Sequence, residues 1–153
     1  MATAYVLHLL FVVVWIGGLI FLQLALWPAT GAQLRESSSR IPLLAAVLER
    51  FLWLAWAAAI ILPVTGFWLI GAYGGMARLG GHIHLMTGVG LMMVLLHLAL
   101  YLAAFLPLRR AVAAGEWESA GRQLQWVRWL TWLLLLAGIL VILITGLGAR
   151  GGL

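Results

Sequence analysis

The sequence predicts an all-α integral membrane protein, folded as a bundle of four transmembrane helices. Of its 153 residues, 65% are hydrophobic and only 8% are charged, a composition far from that of a soluble domain. Four apolar runs, at approximately 4–28, 43–73, 82–106 and 126–149, each exceed the ~20 residues that a helix needs to cross the bilayer. Helices also satisfy their backbone hydrogen bonds internally, as lipid requires. We therefore expect one membrane domain made of these four helices.

The arginines predict how the chain is oriented. Seven of them fall at the turns between helices 1 and 2 and between helices 3 and 4, whereas only Arg78 and Arg150 fall on the other side. Basic residues concentrate on the cytoplasmic side of membrane proteins. We therefore expect a multi-pass protein of the bacterial inner membrane with both termini in the periplasm. The net charge of +5 reports this orientation and gives no support to a nucleic-acid partner.

The first apolar run predicts a mature helix that ends at Trp27-Pro28. No Lys or Arg precedes it, and it is longer than the core of a typical signal peptide. His8 and Trp15 are seven residues apart and therefore share a face. Gly17 and Gly18 allow the close approach of a flat ligand or of a neighbouring helix, and simple helix packing explains them equally.

The second run carries Pro63, which we expect to kink the helix because proline lacks a backbone N–H. Thr65 can offer its hydroxyl to a carbonyl freed nearby. This pattern is typical of a helix shaped around a cavity, although packing alone also explains it. Near the start of the same helix, Glu49 and Arg50 can pair with each other or reach lipid headgroups.

A glycine-rich outer turn over 71–81 precedes the third helix, which contains three of the four histidines: His82, His84 and His97. The stretch 109–125 predicts an interfacial helical piece, because it mixes charged residues with Trp117. The fourth helix then runs past Thr145-Gly146.

The chain contains an internal echo that suggests two related helical hairpins. Gln23-Leu24-Ala25-Leu26-Trp27 resembles His97-Leu98-Ala99-Leu100-Tyr101, 74 positions later, and the same offset relates His8 to His82. Helices 2 and 4 each have an arginine near the start and Thr-Gly near the end. Parallel repeats of this kind occur in membrane proteins, and a chance match between leucine-rich helices is the alternative.

The histidines predict a haem b site near the outer face. If the hairpins repeat, His8 and His84 lie at the same depth on parallel helices, where two imidazoles can hold one iron. Gly88, one turn below His84, would leave room for a porphyrin, as would Gly18 beside Trp15. His82 can hydrogen-bond a haem propionate. The alternative is that these histidines are ordinary interfacial residues.

His97 is assigned a separate task. It lies 13 residues beyond His84, or ~20 Å along a helix, and therefore cannot ligate the same iron. We expect it to form hydrogen bonds or relay protons. Copper is the competing metal, because methionines near the histidines supply soft thioether ligands: Met76, Met86, Met92 and Met93. The absence of cysteine excludes disulfides, thiolate sites and covalently attached c-type haem.

The motif that begins at His8 and continues through Trp15-Ile16-Gly17-Gly18, Arg50-Phe51, Thr65-Gly66 and His82-Ile83-His84 resembles the membrane core of the copper resistance protein D (CopD) family. This resemblance covers nearly the whole chain and implies a membrane protein that handles or transports copper. The chain is more distantly similar to the HemJ-type protoporphyrinogen oxidases. In that family a histidine of the first helix binds haem b, and His8 and His97 match two of its histidines.

Two kinds of function are therefore expected. In the first, the protein binds haem b and passes electrons between a membrane quinone and a periplasmic redox partner or small oxidant. In the second, it handles copper; a protoporphyrinogen oxidase is a further alternative. The surrounding lipid bilayer is a partner in each case, and a homodimer is expected because so small a bundle can pair through a glycine-bearing or aromatic helix face.

Overall fold

The computed structural model describes residues 1–148, and its long elements are four helices that are long and apolar enough to cross a membrane. They are α1 (Ala2–Gln33), α2 (Ser37–Ala72), α3 (Gly81–Ala113) and α4 (Trp117–Gly148). The predicted four-helix membrane bundle is thereby confirmed. The predicted end of the fourth helix at 149 and the orienting Arg150 lie outside the described residues.

The helices extend well beyond the apolar runs at one end of the bundle. Only Leu34–Glu36 separates α1 from α2, and only Ala114–Glu116 separates α3 from α4. The stretch 109–125 is therefore no separate interfacial piece, since it is divided between the end of α3 and the start of α4. At 32 residues, α1 is ~48 Å long, so it continues past ~30 Å of hydrocarbon. We call this the arginine-rich end.

Two wide helical turns break the regularity of α1 and α3, and each ends two residues before a proline. Residues Leu22–Leu26 and Leu100–Phe105 form π-helical segments, closed by bonds from the N–H of Trp27 to the carbonyl of Leu22 and from Leu106 to Tyr101. Pro28 and Pro107 lack an N–H and crowd the carbonyl four residues earlier. The wider turn relieves that crowding, so α1 continues through Pro28 instead of ending there.

The four helices pack so that α1 and α3 occupy opposite corners of the bundle. Each lies against both α2 and α4, which also contact one another. At the arginine-rich end, α2 and α3 are joined by an exposed ion pair of 3.4 Å between Glu49 and Arg109. Glu49 therefore pairs across the bundle, and not with its neighbour Arg50. At the opposite end, Gly74 and Gly75 turn the chain with φ of 96° and 87°, values that favour glycine.

Two glycines bring helices into contact at positions where any larger residue would clash. A Cβ on Gly18 would overlap the Phe51 ring of α2, and one on Gly138 would overlap the Ile16 side chain of α1. Small residues at such crossings let membrane helices approach closely. Gly18 therefore belongs to the α1–α2 contact, which is the packing alternative raised by the sequence.

Buried positions repeat between the two halves of the bundle, which supports a pair of related hairpins. Buried positions coincide more often at an offset of 78 or 79 than at the offset of 74 suggested by the sequence: Leu22 and Leu100 are 78 positions apart, and Leu48 and Val127 are 79 apart. With an offset of 78, His8 corresponds to Met86 and not to His82. The matched buried positions of α1 and α3 are Trp15, Leu19, Leu22 and Trp27 with Met93, His97, Leu100 and Phe105.

Candidate functional site

His8 is held in place by a hydrogen bond from α1 to α2. Its Nδ1 lies 2.8 Å from Oγ1 of Thr65, and the same hydroxyl lies 2.7 Å from the carbonyl oxygen of Ile61. Gly66 lies beside the imidazole, since a Cβ there would come within 3.4 Å of Cε1 of His8. The Thr65-Gly66 pair of the sequence motif thus forms the support of His8.

This arrangement favours one tautomer of His8. A carbonyl oxygen can only accept, so the single hydroxyl proton of Thr65 is donated to Ile61. Oγ1 of Thr65 must then accept a proton from Nδ1 of His8. Consequently Nε2 carries the free lone pair. Metal-binding histidines are commonly oriented in this way, by a hydrogen bond from the nitrogen that does not bind the metal.

A cavity of about 290 Å³ lies among the four helices, and His8 is part of its wall. It occupies the half of the bundle that is remote from the arginine-rich end. The predicted common face of His8 and Trp15 is confirmed, because Trp15 also lines it. Most of the lining is apolar and comes from every helix: Val12, Leu62, Phe67, Gly90, Val141 and Ile142 are among its members.

Two methionines of α3 line the same cavity. Met86 and Met93 are seven residues apart and therefore share one face of the helix. Met93 is buried, and its Cε lies 3.4 Å from the place where a Cβ on Gly138 would be. Met92 faces the opposite way and is exposed. The cavity thus combines one imidazole with two thioethers.

His84 does not contribute to this cavity wall. It is exposed, and its Nδ1 lies 3.3 Å from the carbonyl oxygen of Gly80, one turn earlier. A pair of haem ligands would require His84 and His8 to face one another. The structure does not bring them together. The physical reason is helical geometry: His84 and Met86 differ by ~200° around the axis, so only one of them can face the cavity.

The remaining predicted cofactor positions lie elsewhere. His82 packs against the end of α4, where a Cβ on Gly148 would overlap its ring. Its Nδ1 is buried without a hydrogen-bonding partner among residues 1–148. Gly88 is exposed and has open space where a Cβ would be, whereas Gly90 lines the cavity. The space beside Gly18 is filled by the ring of Phe51, so it is not open to a cofactor.

His97 lies just beyond the floor of the cavity and is completely buried. Its ring makes edge contacts with Trp15, at 5.6 Å between centroids, and with Trp56, at 4.9 Å. The expected hydrogen bonds are not formed, since neither ring nitrogen has a partner in the described part of the chain. Trp56 was not singled out from the sequence. The position of His97 next to the cavity has a signal in the sequence: Met86, Met93 and His97 are spaced by seven and four residues and therefore share one face of α3.

A second polar contact lies deeper, near the π segment of α1. The Nε2 of Gln23 donates to Oγ1 of Thr131 at 2.7 Å and to the carbonyl of Arg128 at 3.1 Å. The Oε1 of Gln23 is buried without a partner among residues 1–148. This contact joins α1 to α4 and is separate from the cavity.

The donor set of the cavity is therefore soft and sparse. Residues 1–148 contain no group of three or more His, Cys, Asp or Glu side chains that could hold a metal ion. Hard cations such as Ca²⁺ and Mg²⁺ prefer several oxygen ligands, and the cavity does not offer them. Thioether and imidazole donors suit copper instead, in particular Cu(I).

Comparison with known proteins identifies a family. The family described as copper resistance protein D, CopD, matches residues 45–147, about two thirds of the chain. The match includes all of α3 and most of α2 and α4. No curated protein and no solved structure matches the chain significantly.

Proposed function

The chain belongs to the copper resistance protein D family, and we propose that it handles copper inside the membrane by binding Cu(I) in the cavity between His8 and Met86. The observation that carries this proposal is that an imidazole with a free Nε2 and a thioether line the same cavity. Cu(I) favours these ligands and tolerates a low coordination number in an apolar environment. Copper is the cargo of the site in this proposal.

The arginines give the proposal a direction. The arginine-rich end holds Arg35, Arg40, Arg109, Arg110 and Arg122, whereas Arg78 lies in the connection at the opposite end. If basic residues mark the cytoplasm, the cavity lies in the periplasmic half of an inner-membrane protein. Its copper then comes from the periplasm. The connections between helices are too short for a folded domain, so they do not themselves form a copper carrier.

Haem b is the second candidate occupant of the cavity. A largely apolar cavity with one oriented imidazole, His8, is the observation that favours it. Met86 is the available second ligand, since His84 would have to leave the outer surface of α3. Electron transfer between a quinone and a periplasmic partner follows only if haem is bound. The oxidase alternative has no further observation in its favour.

One preparation separates the two candidates. The full chain is purified in detergent from haem-competent cells, its visible spectrum is recorded, and Cu(I) is then titrated against a coloured Cu(I) chelator. We expect no Soret band and at least one competed Cu(I) per chain. A Soret band that disappears in His8→Ala would assign the cavity to haem.

Matched variants locate the copper. We expect Met86→Leu and His8→Ala each to weaken Cu(I) binding, because each removes a donor from the cavity. Met92→Leu and His84→Ala make the same chemical changes on the exposed surface of α3 and should leave binding unchanged. If Met92→Leu weakened binding as much as Met86→Leu, or His84→Ala as much as His8→Ala, a site in the cavity would be contradicted.

A further inference from the structure

The surroundings of His97 provide no hydrogen-bond donor for the lone pair of its imidazole within residues 1–148. A neutral imidazole has one N–H and one lone pair. The rings of Trp15 and Trp56 lie at 79° and 75° to the imidazole, so its N–H can point to an indole face. An indole face cannot satisfy the lone pair. The Nε1 of Trp15 is itself buried without a partner within residues 1–148, so it does not supply the missing donor.

Leaving a buried acceptor unpaired destabilises the folded protein, because the acceptor loses its hydrogen bonds to water. Burial is complete at His97, with 0% of the residue exposed. Replacing this imidazole by an apolar side chain of similar size would therefore remove the unpaired acceptor and lose only a weak N–H contact with an indole face. A cation is the kind of ligand that would use the lone pair, and the neighbouring indole faces attract cations as well.

Met93 supplies the second donor. It precedes His97 by one helical turn, and side chains at this spacing are neighbours on the same face, with ~5–6 Å between their Cβ atoms. Met93 also lines the cavity and is 5% exposed, so the face of α3 that carries His97 is continuous with the cavity wall. A thioether beside an imidazole is a soft donor pair that suits Cu(I).

From this arrangement we infer that Met93 and His97 form a second Cu(I) site, directly below the cavity and reached through it. The inference rests on the proposed function, because Cu(I) must first enter the cavity. The ion passes from Met86 toward His97 along one face of α3, over about 16 Å. Each move exchanges one soft ligand for another, with no change in oxidation state. The second site carries Cu(I) from the His8 half of the bundle toward its centre.

The test counts Cu(I) ions on the full-length protein in detergent, by competition with a coloured Cu(I) chelator. The wild-type chain is expected to hold two ions. The double variant His8→Ala/Met86→Leu should retain one, and addition of His97→Leu should remove it. If the double variant retains none, or if the triple variant still holds its ion, the Met93–His97 site does not exist.

The same experiment separates this inference from the proposed function. Loss of one ion in the double variant supports the cavity site whatever happens at His97. If the double variant binds as many ions as the wild type, the cavity site fails, while His97→Leu in the wild-type background still decides the second site. A wild-type chain that binds no Cu(I) overturns both.

Two further measurements guard against a purely structural role for His97. The metal-free His97→Leu variant should keep or raise the melting temperature, because the buried lone pair is removed. A lower melting temperature with an unchanged Cu(I) count would overturn the inference.

X-ray absorption of copper in the double variant should show a sulfur and a nitrogen neighbour. That sulfur should be lost in Met93→Leu and kept in Met92→Leu; a spectrum without sulfur excludes Met93.

Discussion

His8 is the residue of the cavity wall whose orientation matters most for the proposed copper site. Its Nδ1–H is donated to Thr65, whose own proton goes to Ile61, and this chain of two hydrogen bonds leaves Nε2 free. In the proposed copper site, the hydroxyl of Thr65 would therefore act on the ion through the imidazole. Such supporting bonds fix both the tautomer and the ring orientation of a metal ligand.

Removal of this support provides a test at the scale of one residue. We expect Thr65→Val to weaken Cu(I) binding by about 10- to 100-fold, because His8 loses the bond that orients it. Chelator competition on the purified protein measures the change.

Thr145→Val is the matched control. Thr145 also lines the cavity, and among residues 1–148 its hydroxyl bonds only to the carbonyl of Val141 on its own helix. We expect Cu(I) affinity to be unaltered in this variant. If both valine variants lose affinity to the same degree, the polarity of the cavity and not the orientation of His8 is what matters.

At the scale of helices, close contacts set the rotation of each helix about its axis. Gly18 contacts the Phe51 ring, and Gly138 contacts Ile16 and lies near Met93. These contacts direct His8, Met86 and Met93 toward one cavity. The π segments before Pro28 and Pro107 change the helical register further along α1 and α3. An extended turn of this kind shifts every later residue around the axis.

Adjacent glycines of α1 allow this packing to be tested. We expect Gly18→Ala to lower the melting temperature in detergent, because the added methyl group overlaps the Phe51 ring and overpacking costs typically about 1–3 kcal/mol.

Gly17→Ala is the control, since nothing lies within 4 Å of a Cβ at Gly17. Alanine favours a helix over glycine by about 1 kcal/mol, so this variant should melt at the same temperature or higher. Gly18→Ala that is as stable as Gly17→Ala would show that α1 and α2 can separate without cost.

At the scale of the whole molecule, each of the two hairpins contributes one donor to the proposed copper site. His8 of the first hairpin corresponds to Met86 of the second, and both line one cavity. Helices α1 and α3 bring these donors from opposite corners of the bundle. A complete site therefore needs both hairpins, because neither supplies the imidazole and the thioether of the cavity together.

Division of the chain at Gly74-Gly75 tests this dependence. These glycines turn the connection between α2 and α3, so a break there leaves each hairpin intact. We expect fragments 1–74 and 75–153 to recover Cu(I) binding in the cavity when they are produced together, and His8→Ala in the first fragment to weaken it. Cavity binding by the first fragment alone would contradict a site shared between hairpins.

The orientation in the membrane can be tested because the natural chain has no cysteine. We expect a membrane-impermeant maleimide to label Ala77→Cys in cells whose outer membrane is permeabilised. Ser38→Cys should react only after the inner membrane is opened. Both positions are exposed, in connections or helix ends on opposite sides of the bundle. The reverse pattern of labelling would place the cavity in the cytoplasmic half.

The sequence by itself determined the membrane class, the number of helices and the common face of His8 and Trp15. These properties follow from local composition and from the helical repeat, which act within one segment. Helix ends were predicted less well, because hydropathy marks the part of a helix within lipid and α1 continues beyond it. The histidine pair of His8 and His84 was a reasonable expectation from depth alone, since depth follows from the position along each segment.

Only the tertiary structure decided which side chains face one another across the bundle. Leu19 is fully buried and Ile20 is 40% exposed, although both are equally apolar. Lipid is as apolar as the protein interior, so a membrane helix carries little contrast between its buried and exposed faces. The rotation of α3, which directs Met86 inward and His84 outward, depends instead on contacts between helices, and contacts of that kind are distant in sequence.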